Sequence, residues 1–131
     1  MEITGALYQA LKDLAPGGAW ESIADRDAVL PYIIITPVTA SNRYTLDKQM
    51  GPREGKVDVK VITEGASFVT AESIRAAFDT ALHELNDGND YGIQMIIRET
   101  EIRYPEYDGD IRYNHLGWTY RYIMAEPGQG G

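Results

Sequence analysis

The chain has 131 residues, 12 of them basic and 20 acidic, for a formal net charge of −8. That length fits one domain with its own core, and that charge argues against broad contact with a phosphate backbone or an anionic membrane surface. The absence of cysteine excludes disulfides, thiolate catalysis and cysteine-bound zinc or iron–sulfur centres.

Hydrophobic residues make up 44% of the chain and tyrosine occurs nine times, so residues 1–125 are expected to fold as one unit, with 126–131, rich in glycine, as a flexible tail. The first residues lack a basic stretch followed by an apolar one, and no apolar run approaches about 18 residues. A soluble protein made in the cytoplasm is the expectation.

Ile3, Ala6, Leu7, Ala10, Leu11 and Leu14 recur at helical spacing and form one apolar stripe, which Pro16-Gly17-Gly18 ends. Val29 to Val38 reads as a strand: Tyr32-Ile33-Ile34-Ile35 is β-branched and bounded by Pro31 and Pro37. Residues 39 to 55 show no period and read as a long loop, whereas Lys56-Val57-Asp58-Val59-Lys60-Val61 alternates strictly, with valines inward. Long loops in small domains carry function. Arg43, Tyr44, Leu46, Lys48, Met50 and Arg53 are therefore candidate contact residues.

The second helix runs from Thr70, a candidate N-cap, to Leu85, with Ile74, Ala77, Phe78, Ala81, Leu82 and Leu85 as its buried stripe and Asn86-Asp87-Gly88 as its stop. Two alternating runs, Ile93 to Tyr104 and His115 to Ala125, flank the acidic, turn-rich Pro105-Glu106-Tyr107-Asp108-Gly109-Asp110. In the second run Leu116, Trp118, Tyr120, Tyr122 and Met124 share one face, to be covered by the helices. The order α-β-β-α-β-β gives an α+β fold: an antiparallel or mixed sheet of about four strands with two amphipathic helices packed on it.

No constellation for catalysis stands out. Glu99, Glu101, Glu106, Asp108 and Asp110 are the densest carboxylates, but the first two alternate with apolar positions as a solvated strand face does. Asp108-Gly109-Asp110 has turn chemistry rather than calcium-loop spacing. His83 and His115 lack metal-site spacing, and no serine lies in a nucleophile elbow or glycine run in a phosphate loop. The expectation is a protein that is not an enzyme, with no catalytic residue, cofactor or metal. Trp118, Tyr120 and Tyr122 have the spacing of a base-stacking ladder, but basic residues do not concentrate there, Arg112 and Arg121 standing against Asp108, Asp110 and Glu126, and a buried strand face explains them better.

The element order, with Leu30-Pro31-Tyr32-Ile33-Ile34-Ile35, Val57-Asp58-Val59-Lys60-Val61, the helix from Thr70 to Leu85, and Asp108 to Tyr113 leading into Leu116 to Tyr122, resembles the tail terminator, or tail completion, proteins of long-tailed bacteriophages, prophages and gene-transfer particles. The resemblance implies a structural virion protein, assembled in the host cytoplasm. It would form a ring, usually hexameric, that caps the tail tube, ends tube polymerisation and presents the surface on which the head docks.

Its implied partners are copies of itself, the tail tube protein and a head–tail connector or stopper; DNA would only slide through, past an acidic wall that repels it. No membrane is involved. The 39–55 loop and the turn bearing Tyr107, Asp108 and Asp110 would reach neighbours or the tube, and unpaired sheet edges would join subunits. Other tail tube-like or head–tail connector components share such an architecture, and a small ligand-binding or regulatory α+β domain is the alternative outside the virion.

Overall fold

Alternating valines need an apolar cover on one side only, and two helices supply it. The computed structural model describes residues 2–44 and 50–125. Within it α1 spans Ile3–Leu11 and α2 spans Val69–Glu84, and the strands are β1 Ala19–Glu21, β2 Tyr32–Tyr44, β3 Met50–Glu64, β4 Ile93–Asp108 and β5 Ile111–Met124. They form one sheet in the order β1-β2-β3-β5-β4, antiparallel throughout except that β1 runs parallel to β2.

Both helices lie on one face. Val57, Val59 and Val61 are opposite Tyr120, Trp118 and Leu116 across the β3–β5 ladder, and all but the partly buried Trp118 are sealed in one core with Ile33, Ile35, Leu7, Leu11, Phe78 and Leu82. The other face carries Lys56, Asp58 and Lys60 opposite Arg121, Thr119 and Gly117. No helix covers it. Gly117 is required where Lys60 crosses it, because a Cβ would lie 1.9 Å from the Val59 carbonyl oxygen.

Four expectations change. The sheet has five strands rather than about four, because Ala19–Glu21 adds a short parallel edge beside Ile33–Ile35. Residues 39–55 are not a long loop: β2 runs to Tyr44 and β3 begins at Met50, with Tyr44 paired to Met50 and register shifts after Pro37 and after Asn42. This outer hairpin extends beyond the helices, so neither face needs apolar alternation. Pro105 to Asp108 likewise belongs to β4, and only Gly109 and Asp110 turn the chain into β5, with Gly109 at a φ of 62° that favours glycine.

The fourth change concerns the helices. α1 ends at Leu11, before the proline, and Leu14 packs against the core from the following turn. Phe68, rather than Thr70, holds the cap position of α2, where the Ser67 hydroxyl accepts from the Val69 N–H at 3.4 Å. Asn114 anchors this end by donating to the Gly65 and Ser67 carbonyls, 3.0 Å each. Ala77 is exposed, while Ala71, Phe78 and Leu82 are buried.

These placements separate two adjacent positions. Phe78→Ala is expected to cost about 3–5 kcal/mol of unfolding free energy, and Ala77→Ser less than about 1 kcal/mol. Urea denaturation of both variants checks this, and a large loss from Ala77→Ser would contradict the helix orientation.

Candidate functional site

The sheet presents two free borders. On one, β1 covers only Ile33–Ile35, so among the described residues β2 from Thr36 onward has no outer neighbour. On the other, β4 pairs with β5 alone. Open borders invite pairing with another chain.

The β4 border is partly closed from within. The Asn86 side chain accepts from the Ile96 N–H and donates to its carbonyl, both at 2.8 Å. Asn89 does the same for Ile93, at 3.1 and 2.8 Å. Register shifts lie between Ile93 and Met95 and between Arg98 and Thr100, and Pro105 has no N–H to offer. The uninterrupted stretch is therefore Thr100–Tyr104. Asn86 was read from sequence as helix-stop chemistry alone, and Asn89 was not singled out; the role of both at the border depends on where β4 lies.

The two sets of candidate contact residues do not converge. Arg43 and Tyr44 end β2 and Met50 begins β3, whereas Leu46 and Lys48 lie outside the described residues. Arg53 forms an ion pair with Glu2, tying β3 to the start of α1. Tyr107, Asp108 and Asp110 form the opposite tip: Arg53 is level with Met124, while Glu64 is level with Tyr113 near the β4–β5 turn. At about 3.3 Å per residue the ends of β3 stand roughly 46 Å apart. Tyr107 is 65% exposed and Ile111 is 43% exposed, so this tip offers an apolar surface between acids.

On the helix side, arginines fix α2 to the outer strand. Trp118 lies between the guanidinium groups of Arg75 and Arg98, at 4.7 and 4.5 Å from its ring centre. Arg75 bonds Glu101 at 2.6 Å, Arg98 bonds Asp79 at 2.8 Å, and the Tyr120 hydroxyl donates to Asp79 at 2.7 Å. Burial and the Asp79 carboxylate hold that hydroxyl protonated far above the ordinary tyrosine range. Arg75, a positioning residue of this clamp, lowers the pKa of Glu101 chiefly through its hydrogen bond. Glu99 faces the other side, with Lys56 at 3.3 Å and Arg121 at 2.9 Å, because of the irregularity beside Arg98. The two carboxylates thus sit in ion pairs on opposite faces.

On the open face, His115 stacks on Tyr104 with ring centres 4.5 Å apart, and Lys60 donates to the Tyr104 hydroxyl at 2.9 Å. His115 Nε2 is 3.3 Å from Glu106, whereas the buried Nδ1 has no hydrogen-bond partner among the described residues. Burial foremost, and the Lys60 charge, lower the imidazole pKa; Glu106 opposes them. Among the described residues no group of three His, Asp or Glu side chains is placed to hold a metal, and no helix is long and apolar enough to cross a membrane.

Neither a family model nor a curated protein sequence matches the chain. Solved structures do. One chain from the virion of a native gene transfer agent particle superposes with a TM-score of 0.71 at 18% identity, over 95% of this chain and 95% of that one. At that identity the likeness establishes the fold, an α+β unit shared nearly end to end.

His115 generates a pH prediction. Its folded pKa is below the unfolded one, so the unfolded chain binds more protons between the two, and this stability contribution is present above pH 6.5 and lost as pH falls toward the folded pKa. The fall in unfolding free energy between pH 7.5 and 5 should be shallower in His115→Gln than in the wild type. Equal slopes in denaturation series would contradict the assignment.

Proposed function

We propose that this protein is a structural component of a phage-like virion that works as a ring on the end of a tail tube, stopping tube growth and offering the docking surface for the head. The observation that carries the reading is the end-to-end likeness to a chain of a gene transfer agent virion, joined to the resemblance to tail terminators noted in the sequence.

The geometry supports a ring in a specific way. β4 runs antiparallel to β1 and β2, so copies placed side by side in the same orientation bring β4 of one against the opposite border of the next in the favoured antiparallel sense. Such a head-to-tail contact closes into a ring when its rotation divides the circle. Six copies would match the symmetry implied by the resemblance.

In this arrangement the helices stay on one side of the wall and the polar face, with Lys56, Asp58, Lys60 and Arg121, on the other. The two hairpin tips point toward opposite ends of the ring. The 39–55 hairpin, with Arg43, Tyr44, Leu46, Lys48, Met50 and Arg53, would engage one partner, tube or connector, and Tyr107, Asp108 and Asp110 the other. DNA passes without specific contact: Glu99, held between Lys56 and Arg121, offsets part of the positive charge of this face. The working protein belongs to the virion tail, with no catalytic step or cofactor.

Replacing residues 44–50 by a two-residue turn tests this. The variant should keep its circular dichroism spectrum and melting temperature while particle yield in a complementation assay falls at least tenfold. Full yield from a folded variant would remove the hairpin from the docking role.

A further inference from the structure

A groove of about 490 Å³ runs between α1 and the β1 border, with Gly5, Tyr8, Ala19, Trp20 and Ile35 along it and Glu2 and Glu21 at its rim. Tyr8 is 43% exposed there. We infer that this groove and the β1 border form the socket for the Thr100–Tyr104 stretch of β4 from a second copy of this chain, held by Arg103 of that copy against Glu21. The inference rests on the ring reading and deepens it by naming the residues in contact.

Three observations lead there. The first is availability: Asn86, Asn89, the register shifts and Pro105 leave Thr100–Tyr104 as the unbroken part of the β4 border. The second is side. Ala19 and Glu21 are level with Ile33 and Ile35, and Arg103 is level with Leu116, so all three project toward the helix-covered face on which the groove lies. A continued sheet would bring Arg103 to the groove rim.

The third is charge. Residue rows across the sheet connect Glu21, Ile35, Val59, Trp118 and Glu101, and likewise Ala19, Ile33, Val61, Leu116 and Arg103. Continuing the sheet into a second copy without stagger therefore sets Glu101 opposite Glu21, a repulsive pair. A stagger of two residues sets Arg103 opposite Glu21 instead. An odd stagger would turn the helix-covered side of one copy toward the open side of the next. Closure of a sheet into a barrel requires stagger in any case, so the favourable charge pairing and the closure condition call for the same kind of displacement.

The experiment is a charge exchange read by sedimentation velocity over a protein concentration series, alone and with tail tubes. Glu21→Arg and Arg103→Glu should each weaken self-association at least about tenfold, and the double variant should recover most of it. Because Arg103 also stacks on Phe68, 4.9 Å from its ring centre, and lies 3.6 Å from Glu101 and 3.9 Å from Glu72 of its own chain, Tyr8→Glu on the groove side serves as a second probe and should weaken association equally with an unchanged circular dichroism spectrum. Rings that persist in Glu21→Arg and Tyr8→Glu, or a double variant no better than its parents, would overturn this contact and leave the ring reading standing. A wild-type chain that stays monomeric at every concentration and on tubes would overturn both.

Discussion

The one-sided cover of the sheet is the constraint on which the rest depends. α1 and α2 seal the face bearing Val57, Val59, Val61, Leu116 and Tyr120, and burial of that apolar area is the main favourable term. Among the described residues no helix lies on the other face, and Ile34, buried there, stands outside that core. The charged side chains of this other face are partnered in the plane of the sheet, Lys56 and Arg121 by Glu99, and Asp58 by the Thr119 hydroxyl, which donates to it. The fold therefore produces a stiff slab with one apolar side closed and one polar side open, rather than a cleft around reacting groups.

The borders of that slab explain how such a protein can associate without aggregating. Asn86 and Asn89 satisfy the start of β4, register shifts interrupt it, and β1 covers the inner part of β2. On the β4 border what remains is the short Thr100–Tyr104 stretch, while Thr36–Tyr44 of β2 stays open. A short unpaired stretch flanked by charges favours a defined register over indefinite stacking. In the proposed ring, local irregularity that would weaken a central strand becomes a means of choosing which copy fits where.

Elements that feed the core were legible in the sequence because burial imposes a period. α2 and the alternation of β5 followed from Ile74, Phe78 and Leu82 and from Leu116 to Met124. The outer halves of the two hairpins were not, because residues beyond the helices need no apolar face; Thr39 to Asn42 and Pro105 to Asp108 pair through the backbone with loop-like composition. β1 was missed since three residues, Ala19, Trp20 and Glu21, carry no period and depend on a partner twelve or more positions away. The candidate contact residues came from loop length and turn chemistry. The groove between α1 and β1 had no sequence signal at all, being made by the packing of two elements against a strand that was not foreseen.

The proposed ring unites these features in a protein that would act through shape and repetition, with copies of itself as the first ligand. Electron microscopy of the purified chain mixed with tail tubes bears on this most directly. The account predicts annular caps at one end of the tubes, one subunit thick. Bare tube ends at saturating protein, with the chain left in solution as separate monomers, would contradict it.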